Sequence, residues 1–379
     1  MTNHYHSPNQ TCVRCIMSVA ADPKIRFDVS GVCNHCQRYD ALLPLRVLKG
    51  QAGKDALDRL VDAIKKHGAG KDYDCLIGIS GGVDSTYVAC LVKQLGLRPL
   101  AVHVDNGWNS ELSVKNIEIT LKKLDIDLYT EVLDWEEFRD LQLSFLKAST
   151  PDLEIPTDHA VTAVLWRQAQ RHGIKHIISG MNFATESTFV QDWAYGHWDW
   201  RYIRGIQKKF GTAPLKSFPH YTIADLVWWN LRGIRSISIL NYVDYHKPKA
   251  MALLKEKLGW QYYGGKHYES IYTRFIQGYI LPVKFGIDKR YGHLSDLIRS
   301  GQMTRDDALI EIKSPAYPED IFAQDYDFVL KKFGLSDAAF QAFMRQSPRT
   351  FRDYANAQNV MLGVRKTVGL LRRLGFYPK

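Results

Sequence analysis

The stretch Cys75-Leu76-Ile77-Gly78-Ile79-Ser80-Gly81-Gly82-Val83-Asp84-Ser85-Thr86 decides the fold. Its first five residues are apolar and β-prone, and predict a short buried strand. Beyond it, Tyr87-Val88-Ala89-Cys90-Leu91-Val92-Lys93-Gln94-Leu95 repeats apolar residues at helical spacing and stops at Gly96. A Ser-Gly-Gly turn therefore joins the end of a strand to the start of a helix. Two adjacent glycines let the backbone take positive φ and come close to a ligand. The first-turn N–H groups and the helix dipole favour an anion, and Ser80, Ser85 and Thr86 can add hydroxyl donors. These residue types make a phosphate cradle. It is not a Walker A loop, because no window matches G-x-x-x-x-G-K-[ST]; the nearest, Gly259 to Lys266, has Gly265 where the lysine belongs.

Around this turn the pattern alternates strand and helix, which predicts an α/β fold with a parallel sheet flanked by helices. Strand Pro99 to Val104 ends in Asp105-Asn106-Gly107, with a helix from about Glu111 to Leu124 behind it. Strand Asp127 to Val132 precedes a helix from Trp135 to Ala148. A long helix, Asp158 to His172, leads into strand Ile174 to Ser179 and the turn Gly180-Met181-Asn182. Ligands of open α/β sheets bind at the carboxyl ends of strands. The three polar, glycine-bearing ends, 80–86, 105–107 and 180–182, are expected to converge on one nucleotide.

Upstream, Asp55 to Lys66 is amphipathic, with Leu57, Leu60, Val61 and Ile64 on one face. Before it lie Cys12, Cys15, Cys33 and Cys36, in C-x2-C-x17-C-x2-C spacing. Two hairpin-like knuckles offering two thiolates each complete a tetrahedral zinc site. An iron–sulfur cluster and redox thiols are the alternatives. His35 is placed to replace one thiolate, whereas His4 and His6 read as solvated. Cys75 and Cys90 read as small buried hydrophobes.

The 379-residue chain is long enough for two or three domains. No apolar run reaches the length of a membrane span and the N-terminus lacks a signal peptide's apolar core, so a cytoplasmic protein that does not enter the membrane is expected. A net charge of +10 suits a polyanion, and ATP, a nucleotide-sugar or tRNA would each fit. Past residue 190 come Tyr195, Trp198, Trp200 and Tyr202, then Trp228-Trp229 on a helix from Ile223 to Leu231. That cluster either stacks a base or sugar beside Arg201 and Arg204, or forms a core. Two later blocks stand out: Gly264-Gly265-Lys266-His267-Tyr268-Glu269-Ser270, and the cation-dense Lys284-Phe285-Gly286-Ile287-Asp288-Lys289-Arg290. The remainder is helical and amphipathic: Asp306 to Ile312, Ala323 to Phe333, Asp337 to Arg345, and a basic C-terminal helix. Three domains are expected, a four-cysteine zinc-binding module (1–45), an α/β nucleotide domain (46–195) and a mostly helical substrate or partner region (196–379).

Ser80 to Ser85 resembles the S-G-G-x-D-S signature of the PP-loop ATP pyrophosphatases, whose members cleave ATP to AMP and pyrophosphate. The likeness extends to the turns at Asp105-Asn106-Gly107 and Gly180-Asn182. Together with Cys12-Val13-Arg14-Cys15-Ile16-Met17, Cys33 to Cys36 and the two late blocks with Leu294-Ser295, the pattern resembles the N-acetyl sugar amidotransferases of bacterial O-antigen and flagellin-glycan biosynthesis. The resemblance implies ATP, Mg2+ and Zn2+ as cofactors. It implies nucleotide binding by Ser80, Gly81, Gly82, Asp84, Ser85, Thr86, Asp105, Asn106, Gly107, Gly180 and Asn182, with Asp84 and Glu186 on magnesium. Asp84, Ser85 and Lys284 are the candidate catalytic residues. Lys266, His267, Glu269, Lys284, Asp288, Lys289 and Arg290 are the candidate sugar contacts.

Such enzymes turn an acetamido group of a nucleotide-linked sugar into an acetamidino group. A glutaminase needs a nucleophilic cysteine. Residue 2 is Thr and the six cysteines are otherwise assigned, so a separate glutaminase partner is expected to supply ammonia. The rivals are a tRNA-modifying PP-loop enzyme, a thiolase or lysidine-type synthetase, and a protein that binds nucleotide only as a scaffold. Sulfur transfer usually needs a cysteine at a strand's carboxyl end, and neither Cys75 nor Cys90 is there. No nucleic-acid partner is therefore expected.

Overall fold

The computed structural model describes residues 10–373; His4 and His6 lie outside the described residues. After helices α1 (Asn34–Arg46) and α2 (Gly50–Gly68) comes the parallel α/β unit. It runs β1 (Cys75–Gly78), α3 (Val83–Gln94), β2 (Pro99–Asp105), α4 (Glu111–Leu124), β3 (Asp127–Val132), α5 (Trp135–Ala148), α6 (Ile155–Arg171) and β4 (His176–Ser179). Two helices, α7 (Trp200–Phe210) and α8 (Ile223–Leu231), precede β5 (Arg235–Ser238) and α9 (Lys247–Leu258).

The five strands are all parallel in the order β3-β2-β1-β4-β5. The chain builds outward from β1 to β3, then crosses to the other side of β1 to lay down β4. That reversal puts a crevice at the carboxyl ends of β1 and β4, where the phosphate-cradle turn leaves the sheet. Side chains of β1 alternate between two cores, as a period of two requires. Cys75 and Ile77 pack with α2, α3 and α9, while Leu76 packs with α6 and α8.

The expected helices at 111–124, 135–148 and 223–231 and the strand at 127–132 are present at those bounds. The sixth helix starts three residues before the expected Asp158, because Pro156 occupies its first turn and needs no N–H partner there. The sheet does not end at residue 195. β5 pairs with β4 through His176 to Ser179 and α9 packs on α3, so the α/β unit runs across the expected boundary. β5 is the four-residue sequence Arg-Ser-Ile-Ser, too short and polar to stand out. The aromatic group at 195–202 is a packed core: Tyr202 is wholly buried, and Tyr195 stacks on Phe351 with ring centroids 4.0 Å apart.

The rest is helical: α10 (Ile271–Phe275), a π-helical turn (Ile276–Ile280), α11 (Leu281–Phe285), α12 (Arg290–Arg299), α13 (Arg305–Glu311), α14 (Glu319–Phe333), α15 (Asp337–Arg345) and α16 (Gln358–Arg373). Among the described residues, no helix is long and apolar enough to cross a membrane. Trp108 joins this layer to the sheet. It is wholly buried, stacks on Tyr272 at 4.9 Å, meets Phe333 at 5.1 Å, and donates Nε1–H to Gln142 at 2.8 Å. Trp108→Ala should cost about 3–5 kcal/mol, read as a lower midpoint in chemical denaturation.

Candidate active site

The cradle is made of backbone. Gly81 has φ +77°, and a Cβ there would lie 2.4 Å from the Ser113 carbonyl oxygen of α4, so only glycine fits. Gly82 precedes α3 as its N-cap, and a Cβ on it would come within 3.4 Å of Ser80 Oγ, the Tyr263 hydroxyl and Glu269 Oε1. Ser80 and Ser85 face each other, Oγ to Oγ 3.2 Å, and Ser80 Oγ accepts the Gly82 N–H at 3.3 Å. The Val83 N–H, at the start of α3, donates to the Tyr263 hydroxyl at 3.2 Å. Trp260 Nε1–H donates to the Gly81 carbonyl at 2.9 Å. Asp84 accepts from the Tyr245 hydroxyl, a phenol kept protonated by burial and by that carboxylate's charge. Thr86 is wholly buried, and its hydroxyl has no partner.

The other two strand ends stand beside this turn. A Cβ on Gly180 would lie 3.1 Å from the Asp84 carbonyl carbon and 3.2 Å from the Ser85 nitrogen, so the end of β4 lies flush against the start of α3. Asn182 Oδ1 accepts from Thr185 N–H at 2.9 Å, while its buried Nδ2 has no partner. His103 ties the end of β2 to β1: Asn109 donates to its Nε2 at 3.0 Å, so Nδ1 carries the proton donated to the Ile79 carbonyl at 2.9 Å. Asp105 and Asn106 use their side chains to shape their own turn. Asp105 Oδ1 accepts the Gly107 N–H at 2.9 Å, and Asn106 Oδ1 accepts the Trp108 N–H at 3.1 Å. Lys332 from α14 caps the Gly107 carbonyl.

The late glycine-led block lies over the cradle. The Ser110 N–H donates to the Glu269 carbonyl at 2.9 Å and the Ile271 N–H to Trp108 at 2.9 Å, which bridges 269–271 to the β2–α4 loop. Burial would push the Glu269 carboxyl up, but the nearby His267 imidazole, 3.6 Å away, and Lys247 outweigh it and hold it below its ordinary value. Glu269 Oε2 is buried without a partner. Lys266 faces Glu186 at 3.5 Å, and Glu186 in turn lies close enough to Tyr245 to help keep that phenol protonated. Lys289 pairs with Glu154 at 3.2 Å, and Gln277 donates to the same oxygen at 2.9 Å. Burial holds the neighbouring His293 imidazole neutral, well below its ordinary pKa. Lys266, Asp288, Lys289, Arg290 and His293 line a cavity of about 450 Å³.

Lys284 does not join them. Its ammonium donates to the carbonyls of Phe343 at 2.5 Å and Gln346 at 2.7 Å, closing the C-terminus of α15, where a cation is favoured by the exposed carbonyls. Asp288 and Arg290 pair with each other, Nη2 to Oδ2 2.7 Å, so neither is a free charge. Tyr245, Tyr263, Trp260 and Glu154 complete the cleft without having been singled out in the sequence. The run Trp260-Gln261-Tyr262-Tyr263 before Gly264 carried a usable signal, aromatics abutting a glycine pair; Tyr245 carried none.

The four cysteines form a second, separate centre. Their sulfurs all lie within 4.8 Å of one another, with Cys12–Cys36 at 4.0 Å and Cys15–Cys33 at 3.7 Å. A tetrahedron of sulfurs about 2.3 Å from zinc has edges of about 3.8 Å, so the set fits that ion. The second pair is carried differently from the expected knuckle: Cys33 is the N-cap of α1 and Cys36 lies in its first turn. His35 is turned away, its Nε2 2.8 Å from Asp22, and replaces no thiolate. Cys75 and Cys90 are buried thiols, pushed up by that burial to about 12 and about 11, and are poor nucleophiles.

The fold is a parallel α/β sheet flanked by helices, with the S-G-G-x-D-S turn at its switch point. Residues 269–367 match the family model for the LPS biosynthesis protein WbpG-like, C-terminal domain. That match lies in the helical C-terminal region and speaks for that region alone. An uncharacterized protein of Methanocaldococcus jannaschii is 24% identical over 328 residues, 83% of this chain and 96% of its own. A glutamine-hydrolyzing GMP synthase of Pyrobaculum aerophilum is 37% identical over 76 residues, 20% of this chain and 15% of its own. Among solved structures, NMN synthetase from Francisella tularensis aligns with a TM-score of 0.37 at 16% identity, covering 76% of this chain and 98% of that one.

The cysteine centre gives a direct test. Elemental mass spectrometry should find close to one equivalent of zinc per chain, and Cys33→Ser should lose it and lower the melting temperature. A small module cannot hold its fold without the metal.

Proposed function

We propose that this protein is an ATP-dependent N-acetyl sugar amidotransferase that makes an acetamidino sugar for O-antigen or a related surface glycan. The observation that carries the reading is the seating of Glu269, the first residue of the WbpG-like match, on the phosphate cradle: its backbone bonds Ser110 and its carboxylate lies beside Gly82. The block read as the sugar side thus abuts the cradle through Glu269. The short likeness to a glutamine-hydrolyzing synthase supports amide-nitrogen chemistry.

In this reading the Gly82 and Val83 N–H groups and the Ser80 and Ser85 hydroxyls bind phosphate oxygens, with Tyr263 displaced from Val83. The turns 105–107 and 180–182 flank the nucleoside, and the unpartnered Asn182 amide supplies a donor. Asp84 and Glu186 would hold Mg2+, which when bound would supply positive charge to offset that of the pyrophosphate. The unpartnered Glu269 oxygen supports a cation nearby. Lys266, His267, Lys289 and Arg290 face the sugar.

An amide carbonyl is a poor electrophile. Transfer of AMP to its oxygen gives an O-adenylated imidate, ammonia adds to the carbon, and AMP leaves with the C–O bond to give the amidine. The chain contributes proximity and charge neutralisation rather than a covalent nucleophile. With Cys75 and Cys90 buried, ammonia comes from a separate glutaminase, and the enzyme works in the cytoplasm.

The test is mass spectrometry on ATP, Mg2+, ammonium and a panel of UDP-linked diacetamido sugars. The sugar should lose oxygen and gain NH, matched by equal AMP and pyrophosphate. Asp84→Asn should slow pyrophosphate release by about 10²–10³-fold, the scale of losing one preorganised electrostatic contact. ATP cleavage that needs added tRNA and leaves every sugar unchanged would replace this reading with the tRNA-modifying one.

A further inference from the structure

We propose that Arg299 is a positioning residue through which the cysteine centre holds Glu186 at the cradle, making the metal site and the magnesium site one mechanical unit. The inference rests on the reading of Glu186 as a magnesium ligand.

Arg299, in the last turn of α12, has a side chain only 1% exposed. One arm points at the cysteines, with Nη1 4.0 Å from Cys36 Sγ, and the guanidinium lies over the Tyr39 ring at 5.7 Å. The other arm donates to Asp296 at 2.8 Å and to the Thr188 hydroxyl. Asp296, itself 2% exposed, accepts from the Ser187 hydroxyl and from the Thr188 N–H at 3.1 Å. Arg38 from α1 donates to the Ser187 carbonyl at 2.9 Å, and Tyr39 stacks on Phe183 at 5.3 Å. The segment 183–188 is therefore gripped on both sides of Glu186 by residues anchored at the cysteine centre.

Burying a guanidinium and a carboxylate together is costly, and apolar side chains of the same volume often serve stability as well. What the ionic pair supplies here is direction. Four thiolates on a divalent ion leave excess negative charge, and Arg299 is the cation that meets it from inside the protein. Its Nη2 donates to Asp296, and Asp296 fixes Ser187 and Thr188. The same helix carries Lys289's neighbour Arg290 and His293 to the cavity wall, so the cleft is registered to the cysteines from two directions. Further bonds hold α12 and the start of α13 to the module: the Ile16 N–H to Ser295 at 3.3 Å, and Arg305 to the Cys12 and Cys15 carbonyls, each at 3.1 Å.

The experiment titrates Mg2+ against binding of α,β-methylene-ATP in full-length Arg299→Ala, Arg299→Lys, Thr188→Val, Glu186→Gln and the Arg299→Ala/Glu186→Gln double variant, with zinc content measured in each. Thr188→Val touches only the loop end of the relay and tests it even where Arg299→Ala fails to fold. The expected result is retained zinc with a Mg2+ midpoint raised roughly ten- to a hundredfold in Arg299→Ala and Thr188→Val, the usual loss for a partner that orients a ligand. Arg299→Lys should shift less, and the double variant should lose no more than Glu186→Gln alone, because residues in one network do not add. A shift in Glu186→Gln with none in Arg299→Ala or Thr188→Val overturns the inference alone, as does full additivity. An unchanged midpoint in Glu186→Gln overturns the magnesium reading and this inference with it.

Discussion

A missing side chain governs this molecule. Between the turn after β1 and the first residues of α4 there is no room for a Cβ at Gly81, whose ideal Cβ position is 2.4 Å from a backbone oxygen. The turn can close that tightly only as glycine, and closing it aims the first N–H groups of α3 outward from the sheet. Gly180 adds a milder crowding from the opposite side, where β4 abuts the backbone of Asp84 and Ser85 at 3.1–3.2 Å. The two contacts wedge the start of α3 between neighbouring elements. Everything that reaches the cleft, from Tyr245 to Glu269, is placed relative to that wedge.

Much of this was legible in the chain, for physical reasons. β1 and the helix behind it announce themselves through apolar runs of opposite period, and the glycine pair marks the turn between them. Asp127–Val132 and Trp135–Ala148 sit between clear signals, with Asp134 accepting the Glu137 N–H as a helix cap at 2.9 Å. The paired cysteines were legible as one cluster because two-residue spacing limits where the thiols can go, although Cys36 proves to ride on a helix.

What was hidden depends on contacts distant in sequence. Lys284 stands in a cation-rich block, yet the carbonyls of Phe343 and Gln346, about sixty residues on, claim its ammonium. The tyrosine on Asp84 is 161 positions away from it. Thr86 has the residue type of a phosphate donor, but packing buries it completely. Residue type signals chemistry; orientation comes from the packing around it.

The Tyr263 hydroxyl on the Val83 N–H has a consequence for selectivity. Any ligand reaching that N–H trades one hydrogen bond for another, so a neutral oxygen gains almost nothing by the exchange. An anionic oxygen gains, since bonds to charged acceptors are about twice as strong as neutral ones. The phenol therefore acts as a threshold that only charge can cross. Its chain neighbours Gly264 to Lys266 line the neighbouring cavity, so the residue that guards the cradle is joined by backbone to that cavity's wall.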